Sequence, residues 1–343
     1  MTGLESDRLS PADVDVLRTT GVFRVFVPEQ FGGRQDRVDE IARRIAQVSA
    51  WNADAGWLAA IAAVTNLAVA QFPESALDEI WGGDAETLVA GTLAPSGTLI
   101  LTAETATVTA VSAPVSGLRF ASWVMATVAD TDSRQLNRVL VPVGEVRGES
   151  SWKAIGLTGA GGDTAYLDAV TVPARRVLAL SAPSTEAPLT FFATLFFASS
   201  VVGMARSASS FVSAEIERNA SSSSRWSRPD VQLATSDALR RIDRAEALLS
   251  AATSGLSTRA KVDTMTVRAR SRAADLAARA VGEAESAIPR LIGSLGPTAL
   301  APDHPLALAH ENITTAARHT SLSASKAALA YQAALFPAEP CTK

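Results

Sequence analysis

The side chains best suited to chemistry in this sequence are three histidines near its C-terminal end, His304, His310 and His319. Imidazole titrates close to neutral pH and so holds or moves a proton where other side chains need strong perturbation to do so. Their spacings of six and nine residues are not the helical spacing of metal ligands, so no metal site is predicted. His304 precedes Pro305 and reads as a loop residue, and His310 reads as capping or solvating the start of the last helix. His319 reads either as a functional imidazole or as a polar residue between Ala-rich helix faces. The run Gly159-Ala160-Gly161-Gly162 lets backbone approach a flat ring or a phosphate closely. No Lys-Ser/Thr follows it, so it is not a P-loop. Ser116-Gly117 reads as a turn, Trp123 as a core tryptophan of a β-domain. Arg225-Trp226 closes a loop that contains four consecutive serines. Arg268, Arg270 and Arg272 spread around a helix and read as solvated surface. Glu283 and Glu285 read as surface carboxylates near a helix end.

Composition narrows the field. The 343 residues are 47% hydrophobic and 19% charged, enough apolar material for two or three packed subdomains, with apolar faces left to meet other subunits. A formal charge of −4 lacks the basic footprint of a nucleic-acid binder. The one cysteine, Cys341, has no internal partner, which suits a reducing, cytoplasmic compartment. The first residues lack a basic segment followed by an apolar run, so no signal peptide is expected. Trp57 to Phe72 is taken as the closest approach to a membrane span. It is broken by Thr65 and Asn66 and short of the roughly 20 apolar residues required, so it is expected to be a buried core helix.

The elements that must position these residues follow from periodicity. Ser10 is a natural N-cap before Pro11, and Gly21 closes the first helix. Alternation around Val25 and Val27 predicts a short extended stretch, ended by a turn at Gly32-Gly33. Val38, Ile41, Ile45 and Val48 form one helical face, and a further helix runs from an Asp54 N-cap to Phe72. Short Val/Thr/Leu-rich segments at 98–102, 105–112, 121–129, 136–142 and 164–172, separated by turn residues, predict a small sheet or barrel. Four long helices are then predicted over 191–219, 230–254, 263–292 and 304–335, a pattern that suits an antiparallel bundle.

Several of these segments, in order, resemble the acyl-CoA dehydrogenase fold superfamily. Val25 to Gly33 resembles its N-terminal Pro-to-Gly-Gly turn, and Ser116-Gly117 with Ala121 to Trp123 resembles the segment beside the flavin. Trp152 to Gly162, followed by Asp168 to Pro173, resembles its glycine loop and next strand. Pro229 to Gln232 and Pro305-Leu306 through Ala316 to His319 resemble motifs of its bundle. The chain is most similar to the two-component, reduced-flavin-dependent monooxygenases of that superfamily, because His319 stands where dehydrogenases carry a carboxylate base. The resemblance implies an α+β fold: an N-terminal helical domain over 1–86, a β-domain over 87–183 and a C-terminal four-helix bundle over 184–343. It implies FMN or FAD, reduced by a separate reductase, and hydroxylation of a small aromatic or polyketide-like substrate with O2, a reaction of secondary metabolism. His319 would orient or deprotonate the substrate. Ser116, Gly117, Trp123, Gly161 and Gly162 would line the ring, and Arg225 would meet the phosphate end. Assembly as a dimer or tetramer through the bundle is expected, with no nucleic-acid or membrane partner.

The chain also departs from the family pattern. The glycine loop carries Ala160 and Gly162 where the family has threonine and serine hydroxyls near the ring. Leu308, Glu311 and Asn312 replace an arginine and an Arg-Asp pair. Two alternatives therefore stand beside the monooxygenase. One is a flavin-free member acting as a partner subunit or a non-redox enzyme. The other is an acyl-CoA or acyl-carrier dehydrogenase, disfavoured because Glu311 lies about two helical turns before the expected base.

Overall fold

A computed structural model describes residues 9–180, 187–219, 221 and 224–336; Cys341 lies outside the described residues. Helix α1 (Pro11–Thr19) starts as its sequence dictates. Ser10 Oγ accepts from the Asp13 amide while the Asp13 carboxylate accepts from the Ser10 amide, a reciprocal capping box. Gly21, at φ 71°, turns the chain out of it.

The extended stretch expected around Val25 is reduced to an isolated bridge between Val25 and Arg34, which follows a short 3-10 turn, Val22–Arg24. Its carbonyls find a partner other than a neighbouring strand: the buried Asn66 amide donates to Phe23 O at 2.7 Å and Val25 O at 3.0 Å. Helices α2 (Val38–Trp51), α3 (Ala53–Val69) and α4 (Glu74–Trp81) follow. The cap of α3 is Asn52, whose side chain accepts from the Ala55 amide at 2.9 Å, and not Asp54.

Among the described residues, seven strands form one sheet: β1 (Val89–Leu101), β2 (Thr105–Val115), β3 (Trp123–Asp130), β4 (Leu136–Pro142), β5 (Arg147–Glu149), β6 (Asp163–Pro173) and β7 (Val177–Ala179). Their order is β5-β6-β2-β1-β3-β4-β7, with β1 and β3 parallel and the other neighbours antiparallel. Alternation places Leu99, Val108, Ala126, Val128, Val139, Val141 and Leu167 in one buried cluster.

The remaining helices are α5 (Ala187–Arg218), α6 (Pro229–Thr253), α7 (Arg259–Asp263), α8 (Val267–Leu295), α9 (Pro305–Ala317) and α10 (Ala324–Leu335). Two of the sequence expectations change here. Over Pro188–Arg218 the chain is long and apolar enough to cross a membrane by length and composition, more so than Trp57 to Phe72. Its most apolar window is 89% buried inside the fold. The single last helix expected over 304–335 is broken, because His319 and Ser323 each turn a side chain back onto the backbone and cap a new helical start.

By packing, the chain divides into two units. The first comprises Met1–Asp36, Trp57–Ala154 and Thr158–Leu189; the second comprises Arg37–Gly56, Ile155–Leu157 and Thr190–Lys343. Within the second, α8 packs along α6 and against α9 and α10. Also in the second unit, α2 and α5 cross closely: a Cβ on Gly203 would lie 2.2 Å from Ala46 O, and Ser49 Oγ donates to Ser200 Oγ at 3.0 Å.

Replacing Asn66 by leucine should cost about 2–4 kcal/mol, since two buried carbonyls lose their donor. Chemical denaturation of the variant measures this, and a loss near zero would show that the Phe23 and Val25 carbonyls are satisfied without it.

Candidate active site

In the first unit, a cluster forms where β2 ends. Gly117 sits at φ 75°, and a Cβ there would lie 2.4 Å from Leu58 Cδ1, so both conformation and space demand glycine. Ser116 Oγ accepts from the buried Trp57 indole N–H at 3.3 Å. A hydroxyl that accepts keeps its own proton to donate, so Trp57 orients Ser116 as a donor.

The glycine loop is held against this turn by its backbone. The Gly117 amide donates to Ala160 O at 2.8 Å, and the Arg119 guanidinium donates to Gly159 O. Gly161 adopts φ 69°. At Gly162 a Cβ would lie 2.2 Å from Trp152 Cε3. Ser116, Gly117, Gly161 and Gly162, proposed separately from the sequence, thus share one place. Trp123 is organised differently. It opens β3, paired with Val89 and Pro142, and the Arg176 guanidinium lies 4.8 Å from its ring centroid. Glu79 accepts from Arg176 Nε at 2.8 Å, which fixes that cation over the indole.

In the second unit, residues Ile155–Leu157 dock on α9. The Gly156 amide donates to Thr315 Oγ1 at 3.1 Å and the Leu157 amide to Asn312 Oδ1 at 2.7 Å. Leu157 takes φ 55°, a left-handed conformation that costs a leucine energy and that the Asn312 bond stabilises. Asn312, read from the sequence only as a lost aspartate, holds the Leu157 amide.

His319 occupies the break between α9 and α10, not a helix face. Its Nδ1 accepts from the Ser321 amide at 3.2 Å, and its ring meets Phe197 edge-on with centroids 4.4 Å apart. Thr194 on α5 donates to Ser321 O at 3.0 Å, and Arg318 pairs with Glu285, so both flanks of the histidine are tied down. Glu283 likewise pairs with Arg241 at 3.0 Å and Arg244 at 3.3 Å; neither glutamate is an idle surface group. Burial pushes the His319 imidazole down to about 4. An Nδ1 that accepts a backbone N–H carries no proton, so the ring is neutral with its hydrogen on Nε2. That makes His319 a hydrogen-bond donor at neutral pH and a poor base.

Arg225 stands elsewhere in the second unit. It donates to Leu295 O, at the end of α8, and lines a polar cavity of about 620 Å³ with Arg218, Ser224, Trp226 and His304. His304 caps α9, its Nδ1 accepting from the Leu306 amide at 3.2 Å. As site residues, Trp57 and Arg119 were not anticipated from the sequence, and Asn312 and Trp152 were read only as motif positions. Only Trp57 gave a usable signal, because an indole N–H inside an Ala-rich core helix must find an acceptor.

The unfolded His319 imidazole binds its proton near 6.5 and the folded one only near 4. Protons below pH 6.5 therefore favour the unfolded chain, and the stability present above that pH is lost as pH falls towards 4. Denaturation of wild type and His319→Gln from pH 7 to pH 4 should give the variant a shallower loss, by roughly 2–3 kcal/mol at the acid end. Parallel losses would mean that the imidazole is not held neutral.

Residues 195–324 match the model of the acyl-CoA dehydrogenase C-terminal domain. The chain is 31% identical over 180 residues to the flavin-dependent monooxygenase oxygenase subunit HsaA of Rhodococcus jostii (strain RHA1), a match covering 52% of this chain and 47% of that protein. The chain thus spans about half the length of the curated relatives it matches. Superposition reaches further. The crystal structure of 3-HSA hydroxylase from Rhodococcus sp. RHA1 gives a TM-score of 0.86 at 26% identity, covering 98% of this chain and 92% of that one. XiaF from Streptomyces sp., in complex with FADH2 and glycerol, gives 0.87 at 21% identity, covering 98% and 90%.

Proposed function

Starting from a chain that has the acyl-CoA dehydrogenase fold, we propose that it is the oxygenase component of a two-component flavin-dependent monooxygenase. It takes reduced flavin, FMN or FAD, from a separate reductase in the cytoplasm and hydroxylates a small aromatic substrate with O2. The observation that carries this reading is the cradle in the first unit. Gly117 and Gly162 give the turn and the loop their close packing, against Leu58 and Trp152, and one oriented hydroxyl, Ser116, stands at the same turn. The polar edge of a flat ring suits a turn that offers one oriented hydroxyl beside a loop of small residues. The similarity to a flavin-dependent oxygenase subunit supports the same reading.

Ser116, Gly117, Gly161 and Gly162 would hold the ring, with Trp123 backed by Arg176 as an aromatic surface. Around the polar cavity of the second unit, Arg225 and Arg218 offer positive charge suited to a phosphate or another anion. Bound reduced flavin would supply the two electrons that oxygen activation requires. His319 serves by donating from Nε2 to a substrate oxygen, with the Phe197 ring fixing the imidazole's plane. Its depressed proton affinity supports orientation of the substrate and not removal of its proton.

A second reading, a member that no longer uses flavin, draws on the missing loop hydroxyls at Ala160 and Gly162. Anaerobic titration with FMNH2 and FADH2, followed by admission of O2, separates the two. Saturable binding and oxygen consumption coupled to hydroxylation of a supplied phenol are expected. His319→Ala should keep flavin affinity and lose about 10²-fold in hydroxylation rate, as removal of one oriented donor does elsewhere. Absence of binding by either reduced flavin would overturn the monooxygenase assignment in favour of the flavin-free one.

A further inference from the structure

One side chain carries a charge across the seam between the turn at 116–120 and the glycine loop. Arg119 reaches a loop 40 residues further along the chain, where its guanidinium donates to Gly159 O and, at 3.5 Å, to Thr158 O. The same guanidinium lies 5.0 Å from the Phe120 ring centroid. Carbonyls and an aromatic face attract a cation without neutralising it. Elsewhere in the first unit, Arg24 pairs with Glu86, Arg34 with Asp36, Arg147 with Asp168, and Arg175 and Arg176 with Glu79. Among the described residues no carboxylate pairs with Arg119 in this way. Asp163 stands beside Gly161, its carboxylate 3.5 Å from where a Cβ there would lie, and makes no ion pair with the guanidinium. A guanidinium keeps its proton at any pH at which a protein works, so the charge at the seam is permanent.

We propose that Arg119 is a specificity-determining residue that makes this site favour reduced over oxidised flavin. This rests on the reading of the turn and the loop as a flavin site. The two forms differ in charge at the ring. The oxidised isoalloxazine is neutral, whereas the two-electron-reduced ring gives up its N1 proton near neutral pH and is an anion. Phosphates are common to both forms and do not tell them apart. A fixed cation stabilises the anion and leaves the neutral ring almost unaffected, while close packing and backbone hydrogen bonds serve both. Arg119 thereby biases the site toward the form that a reductase delivers and against the form left after turnover. Its exposure keeps the effect modest.

Wild type, Arg119→Gln and Arg119→Lys separate this role from mere fastening of the loop. Glutamine keeps an amide donor and removes the charge; lysine keeps the charge and loses the fork. Dialysis against FAD and anaerobic titration with FADH2 measure the two affinities, at a pH where the reduced ring is anionic. Arg119→Gln should weaken FADH2 binding about 3- to 10-fold, the effect of one unit charge in a partly solvated site, and leave FAD binding unchanged. The midpoint potential of bound flavin should fall by about 15–30 mV, the same ratio expressed for two electrons. Arg119→Lys should keep the wild-type ratio, and added salt should shrink the difference between wild type and Arg119→Gln. If FAD binds too weakly to measure, FADH2 affinity decides alone: lysine should preserve it, and equal loss in both variants would overturn the inference. Equal weakening of both flavin forms by Arg119→Gln, or an unchanged ratio, would likewise overturn it and leave the monooxygenase reading standing. Failure of wild type to bind FADH2 or FMNH2 would overturn both.

Discussion

The backbone of residues 156–162 carries no side chain that can hydrogen-bond except Thr158, yet it must hold one shape. The constraint is met from outside the loop. Thr315 and Asn312 take the amides of Gly156 and Leu157, the Gly117 amide takes the carbonyl of Ala160, and Arg119 takes that of Gly159. Buried amides and carbonyls left without partners would cost more than any of these bonds gains, so within each unit the backbone follows its own partners. Glycine is what makes such fastening feasible: at Gly156 a Cβ would lie 2.2 Å from Glu311 O, and at Gly162 it would enter the Trp152 ring. The loop hydroxyls absent at Ala160 and Gly162 are matched by backbone bonds to the Ala160 and Gly159 carbonyls.

The same economy governs His319. Using Nδ1 to cap the turn at Ser321 settles the tautomer, and packing against Phe197 settles the plane. A ring so held can aim one N–H with little entropy left to lose on binding, which is the form of preorganisation that favours orientation over proton abstraction. Arg318–Glu285 and Thr194–Ser321 prevent the break between α9 and α10 from closing into the continuous helix that its composition would otherwise support.

Much of the framework was readable in the sequence because it follows from local rules. Ser10 and Pro11 begin α1 through a cap that needs only neighbours three residues away, and the Val/Thr alternation of β2 and β6 reports a sheet with one buried face. The acyl-CoA dehydrogenase-like order of elements was readable for the same reason. What escaped depended on partners distant in sequence. Asn66 ties down the carbonyls of Phe23 and Val25 from a helix forty residues away, and Asn52 caps α3 where Asp54 was expected to. His319 breaks a helix by accepting a bond that no propensity scale contains. The clustering of Ser116 and Gly117 with the glycine loop was anticipated through resemblance, whereas the roles of Trp57, Arg119 and Trp152 rest on contacts that span from ten to more than fifty residues.

The central claim is that the turn at 116–120 and the loop at 158–162 together receive a reduced flavin. Hydrogen–deuterium exchange on the wild-type protein, with and without saturating FADH2 under anaerobic conditions, tests it most directly, because exchange reads the backbone amides of those segments one peptide at a time. The account predicts slowed exchange in peptides covering both segments when reduced flavin is present. Exchange that is unchanged there, or protection confined to other parts of the chain, would contradict it.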